Sequence, residues 1–258
     1  MLELAFLGVV GLLVGSFLNV AVDRLPVGQS LLGPPSHCPA CGTRLRPLDL
    51  VPVASYLALR GRCRYCRAPI PPRVLLVEAL TGALFVLAGW RWGVTPALAP
   101  MLVLLSALVA LFFADLEHQL LPNAITLPAA LALLALAPWS PHLGWEGALA
   151  RVGQATLGAA VGGGVLLLIA VVWRGGMGMG DVKLGAVVGA GLGPPLAGAA
   201  LWLAFVGGGV VALALLAARR RGRRDLLPFG TFLAIAAAVA AFTGPPLYRW
   251  YLDLLLSP

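Results

Sequence analysis

The chain has 258 residues, of which 60% are hydrophobic and only 11% charged, with a formal net charge of +8 and a mean hydropathy of +0.94. Soluble domains carry about 25% charged residues, so this composition excludes a soluble globular fold and points to a polytopic membrane protein. At roughly 20 residues per crossing, the length admits about eight spans.

Apolar runs lie at 2–22, 74–90, 97–114, 124–139, 152–173, 182–193, 196–217 and 229–243. The expected fold is therefore all-α, with about eight transmembrane helices. The sixth and eighth runs are short and rich in small residues, so seven spans is the alternative. The first run has no basic residue before it and is longer than the apolar region of a cleaved signal, so it reads as a retained first span. The expected organisation is a first transmembrane helix at 1–22, a cytoplasmic loop at 23–73 and a transmembrane core at 74–258.

Charge placement favours eight spans with the N-terminus outside. Of 18 Lys and Arg residues, eight fall in 23–73 and five in 219–224, the run RRRGRR. Arg174 and Lys183 join them on the inner side, leaving only Arg91, Arg151 and Arg249 outside. That asymmetry is what the positive-inside rule asks of an inner membrane. Basic clusters also suit nucleic acid, but both flank apolar spans, so the expected partner is the lipid bilayer and not a nucleic acid.

All four cysteines lie in the 23–73 loop, as Cys38-Pro-Ala-Cys41 and Cys63-Arg-Tyr-Cys66. Two such knuckles present four thiolates to one tetrahedral Zn²⁺, and a reducing compartment argues against disulfides. Redox pairs or free thiols are the alternative. With four sulfur ligands the zinc has no open position and is expected to be structural. A loop with few large apolar side chains needs such a staple. His37 is adjacent but surplus to the four thiolates.

Two aspartates stand at span edges. Asp115 closes the third span in FFADLEHQLLPN, and Asp181 opens the sixth in GGMGMGDVKLGA. On the eight-span reading both face the cytoplasm from different helices. Ionisable groups at membrane depth face a protein interior or a watery cavity. Two carboxylates brought close share a proton, so one can activate water while the other protonates a leaving group. Gly178 and Gly180 let backbone approach closely where only protein or a cavity surrounds it. Lys183 could pair with an acid or snorkel to the surface. Glu78, buried early in the second span, could contact a cofactor or pair with Arg73. Taken singly, Asp181 could be a solvated loop acid and Asp115 part of an ordinary polar turn.

These motifs together resemble the type IV prepilin peptidases, a GxGD group of intramembrane aspartyl proteases. The likeness rests on GSFLNVAVDRLP at 15–26, the paired knuckles, DLVPVASYLALRGRCRYC at 49–66 and VEALTG at 77–82. It continues through DLEHQLLPN at 115–123, MGMGDVKLGA at 177–186 and PFGTFLA at 228–234. The resemblance implies Asp115 and Asp181 as the catalytic pair and Cys38, Cys41, Cys63 and Cys66 as zinc ligands. It implies prepilins or pseudopilins of type IV pilus or type II secretion systems as substrates, at an inner membrane. The cysteine loop further implies N-methylation of the new N-terminus from S-adenosylmethionine. Thr231 departs from the pattern, where Pro is expected.

Three other functions fit parts of the chain. A presenilin-like or signal-peptide-peptidase-like protease would not be expected to carry the cysteine loop. A transporter could use both aspartates as an ion site, but the two motifs show no inverted repeat. A zinc-loop scaffold without chemistry leaves both aspartates unexplained.

Overall fold

The computed structural model describes residues 1–144, 146–173, 177–218, 228–244 and 246. The RRRGRR run, Arg174 and Arg249 lie outside the described residues. Among those described the chain is helical, with no strand beyond two isolated bridges in the cysteine loop. The helices are α1 (Leu2–Arg24), α2 (Ala54–Ala58), α3 (Pro72–Trp92), α4 (Leu98–His118), α5 (Asn123–Leu136), α6 (Ala148–Val172), α7 (Met179–Ala217) and α8 (Phe229–Thr243). Helices α1, α3, α4, α6 and α7 are long and apolar enough to cross a membrane, while α5 and α8 are shorter apolar helices. Each apolar run of the sequence thus became helix. The sixth and seventh runs join in α7, which breaks at Gly193 (φ 77°) before Pro194 and Pro195. Pro cannot supply the N–H that a continuous helix needs.

The chain divides into two compact units, Met1–Val94 and Thr95–Pro258. In the first, α1 packs along α3. The contact is made by small residues: a Cβ on Gly11 would come 2.8 Å from the Gly82 Cα, and one on Gly15 would come 2.7 Å from the Glu78 Cα. Leu7 and Leu12 also pack there, on Gly89 and Gly82, while other large side chains point the opposite way. Phe6, Val9, Leu13 and Phe17 form one exposed stripe on α1, an arrangement suited to lipid outside and close backbone packing inside.

The second unit repeats this on a larger scale. Its main contact is α6 against α7, and α7 also packs on α8 and α5, while α4 packs on α8 and α5. Gly158 and Gly162 of α6 meet Gly189 and Gly185 of α7 in antiparallel order, each so close that an added Cβ would strike the partner's carbonyl oxygen. Without a hydrophobic drive between helices in lipid, this approach supplies the dispersion contact that holds them.

A sign reversal tests that packing. Gly→Ala in an exposed helix ordinarily stabilises by about 0.5–1 kcal/mol. Gly207→Ala, where a Cβ meets nothing within 4 Å, should leave the thermal midpoint of the purified protein unchanged or raised. Gly189→Ala should lower it, at a cost of about 1–3 kcal/mol from overpacking. Equal behaviour of the two variants would show that the α6–α7 approach is not tight.

Candidate active site and metal centre

Asp115 and Asp181 both belong to the second unit, and the chain brings each to the amino end of a helix. Asp115 sits in the last turns of α4, only 5% exposed. That helix ends where Gln119 turns left-handed (φ 51°) and returns its N–H to the Asp115 carbonyl at 2.9 Å. The Asp115 carboxylate looks away from its own helix to the start of α8, where Oδ2 accepts the Thr231 N–H at 2.8 Å. A first-turn N–H has no acceptor within its helix, so a carboxylate there satisfies an otherwise orphaned donor.

Asp181 occupies the matching place on α7. Gly178 is the N-cap, and the Asp181 carboxylate, three residues on, accepts the Gly178 N–H at 3.2 Å. This is the side-chain half of a capping box. The two carboxylates lie within electrostatic reach of one another.

Leu121, in the link between α4 and α5, wedges between both sites. A Cβ on Gly180 would come 2.9 Å from the Leu121 Cβ, and one on Gly230 would come 3.1 Å from its Cδ1. Two residues beyond Leu121, Asn123 accepts at Oδ1 from Lys183 Nζ at 2.6 Å. This exposed contact ties the start of α7 to the start of α5.

The first unit holds the metal candidate. The Sγ atoms of Cys38, Cys41, Cys63 and Cys66 all lie within 4.8 Å of one another, and Cys38 and Cys66 are 3.8 Å apart. A tetrahedral zinc with bonds of about 2.3 Å places its sulfurs about 3.8 Å apart, so the donor set fits. The two knuckles are copies of one turn. Cys38 N–H bonds Thr43 O and Gly42 N–H bonds Cys38 O; Cys63 N–H bonds Ala68 O and Arg67 N–H bonds Cys63 O. The fifth position is left-handed in both, filled by Gly42 (φ 69°) and by Arg67 (φ 61°).

Sulfur acidity is uneven across the four. The side chain and backbone of Thr43 favour the Cys41 thiolate and bring it down to about 6. Backbone donors from Cys66 and Tyr65 lower Cys63. For Cys66 the Ala68 N–H pulls downward, yet desolvation and the other three sulfurs prevail and push it up to about 11. A divalent cation among them is what lets all four ionise together.

Asp49, which the sequence did not mark, braces the loop. It accepts Arg64 Nε at 2.6 Å and Tyr65 OH at 2.9 Å from the second knuckle, and Arg46 N–H at 3.0 Å from its own turn. The Arg64 guanidinium holds its carboxyl below the usual range. His37 stays outside the sulfur cluster, with Nδ1 3.1 Å from Pro35 O.

Glu78 is buried on α3 and accepts the Val53 N–H at 2.7 Å. Val53 has φ 61°, an unfavourable state for a β-branched residue, so this bond pins a strained point of the loop to the helix pair. Arg73, on the same helix, bonds Asp23. One turn before Glu78, the Val74 carbonyl accepts Asn19 Nδ2 at 3.0 Å, while Asn19 Oδ1 is buried without a hydrogen-bond partner.

Comparison with known proteins matches each half of the chain to a family description. Residues 9–92 match the bacterial peptidase A24 N-terminal domain and residues 102–213 the type IV leader peptidase family. A Burkholderia pseudomallei protein named prepilin leader peptidase/N-methyltransferase is 37% identical, over 96% of this chain and 87% of its own. A Bacillus subtilis protein of the same name is 33% identical over 98% of this chain and all of its own. A Myxococcus xanthus protein so named is 44% identical over 85% of this chain and 65% of its own. No solved structure matches the chain. With relatives this similar along nearly its whole length, the chain belongs to the type IV leader peptidase family.

Proposed function

We propose that this protein is a prepilin leader peptidase that also N-methylates the pilin end it exposes. The observation that supports it most is the placing of Asp115 and Asp181, each carboxylate anchored by a helix-terminal N–H, at two helix starts that both pack on Leu121. Relatives named for both activities support the reading across both halves of the chain.

Hydrolysis at such a pair needs no covalent intermediate. The ionised carboxylate takes a proton from water as the oxygen attacks the scissile carbonyl. The protonated partner hydrogen-bonds the carbonyl oxygen as charge develops, and a proton then passes to the leaving amine. The leader departs with a carboxylate end, and the pilin keeps a free amine. Lys183 and Asn123 hold the α4–α5 link beside the carboxylates and act as positioning residues, while Gly180 leaves room for Leu121 to close the gap. The basic loops of the sequence support an orientation with the N-terminus outside and the carboxylates open to the cytoplasm, where a leader would enter.

The cysteine loop is assigned a zinc that shapes it, held by Cys38, Cys41, Cys63 and Cys66. S-adenosylmethionine supplies the methyl group when bound. The orphan Asn19 Oδ1 and the Glu78 carboxylate offer buried acceptors suited to an ammonium-bearing ligand, and Glu78 also fixes the loop through Val53. The transporter alternative gains nothing from the break in α7. Gly193 lies 12 residues beyond Asp181, about 18 Å along a helix, so unwound backbone does not meet the carboxylates.

Purified protein incubated with a recombinant prepilin and labelled S-adenosylmethionine, with leader loss and methyl transfer followed separately, tests this reading. Asp115→Asn and Asp181→Asn should each lower cleavage at least about 10³-fold, because an amide can neither accept the water proton nor share one. Either variant cleaving near the normal rate removes the dyad. Glu78→Gln should reduce methylation of pre-cleaved pilin at least about tenfold while leader removal stays within about threefold of wild type; parallel loss of both would assign Glu78 to the fold alone.

Metal analysis should return one zinc per chain, and Cys63→Ser should reduce it. Protein prepared without chelators that holds no metal would overturn the zinc assignment.

A further inference from the structure

We propose that the first turn of α8 is a working part of the cleavage site, with Gly230 and Thr231 as positioning residues for the Asp115 carboxylate. The inference rests on the assignment of Asp115 to the dyad. Three observations carry it. The Thr231 N–H donates to Asp115 Oδ2 at 2.8 Å across 116 residues of chain. A Cβ on Gly230 would stand 2.8 Å from Asp115 Oδ2 and 3.0 Å from its Cγ, closer than carbon and oxygen tolerate, so the carboxylate occupies the space that glycine leaves. The Thr231 hydroxyl is engaged elsewhere, donating to the Pro228 carbonyl at 2.7 Å; it locks the turn, and the backbone holds the acid.

The chemical consequence follows from what a general base needs. A carboxylate that swings between rotamers spends little time aligned with its water, whereas one with an oxygen anchored by N–H donors works in one direction. Asp115 lies near the end of its own helix, so α4 alone does not fix it. The anchor comes from α8, whose first-turn donors have no other acceptor in the helix. Thr231 bears on this point directly: a proline there, as the family pattern leads one to expect, has no N–H to give.

Two variants test the inference, with Asp115→Asn run beside them in detergent-purified full-length protein on a recombinant prepilin. Gly230→Ala should reduce kcat at least about 100-fold with KM within about twofold. Its thermal midpoint should fall modestly, because the added methyl overpacks against the Asp115 carboxylate and Leu121, so kcat is compared on folded protein well below that midpoint. An amide-to-ester replacement at Thr231, which deletes the N–H and keeps the side chain, should reduce kcat about tenfold at unchanged KM. Should Gly230→Ala fail to fold, the ester variant decides. If Asp115→Asn still cleaves, the dyad itself is wrong. If Asp115→Asn is inactive but folded Gly230→Ala keeps wild-type kcat, or the ester changes only KM or nothing, the role given to α8 is overturned.

Discussion

An aspartate held among apolar helices is tolerable only where donors meet it, because burying an unpaired carboxylate costs several kcal/mol or forces it to neutralise. Both aspartates of the second unit satisfy this constraint in the same way, at the amino end of a helix. Asp181 caps α7, the helix it opens, and Asp115 reaches across to α8. Helix amino termini bring unsatisfied N–H groups and the positive end of the backbone dipole. They provide this without a cationic side chain, which would itself be costly at membrane depth. Backbone donors can therefore hold two acids at neighbouring helix starts.

Close backbone packing makes that volume possible. The Gly158–Gly189 and Gly162–Gly185 pairs set α6 against α7, and α7 in turn packs on α5 and α8. Gly180 and Gly230 then admit Leu121 and the Asp115 carboxylate where any side chain would collide. Glycine plays two roles here, as helix–helix seam and as room beside the two aspartates. The first unit uses the seam alone, between α1 and α3, and gathers four cysteine sulfurs and the Asp49–Arg64 pair in a loop with little apolar content.

Much of this was legible in the sequence, for reasons that differ by element. Apolar runs became helices because lipid leaves backbone groups no partner outside their own segment. The knuckles declared themselves because ligand spacing is local. Asp115 and Asp181 stood out as acids at the edges of two apolar spans. Less legible were the groups that meet them. Thr231 contributes a backbone N–H, which has no residue signature, from more than 100 residues away. Nothing in the sequence marked Asn123 as a partner for Lys183, or Asp49 as a partner for Arg64 and Tyr65. The small residues of α6 and α7 were visible, but which glycine faces which is decided by crossing geometry that composition does not encode.

The central claim is that Asp115 and Asp181 act as one unit on the same water and carbonyl. Groups that act as a unit are non-additive: once one is removed, removing the other costs little more. Cleavage of a radiolabelled prepilin by Asp115→Asn, by Asp181→Asn and by the double variant, at enzyme excess and over long incubation, measures this coupling. The account predicts that the double variant cleaves no more than about threefold slower than the slower single variant. Losses that multiply would mean two independent sites and would contradict it.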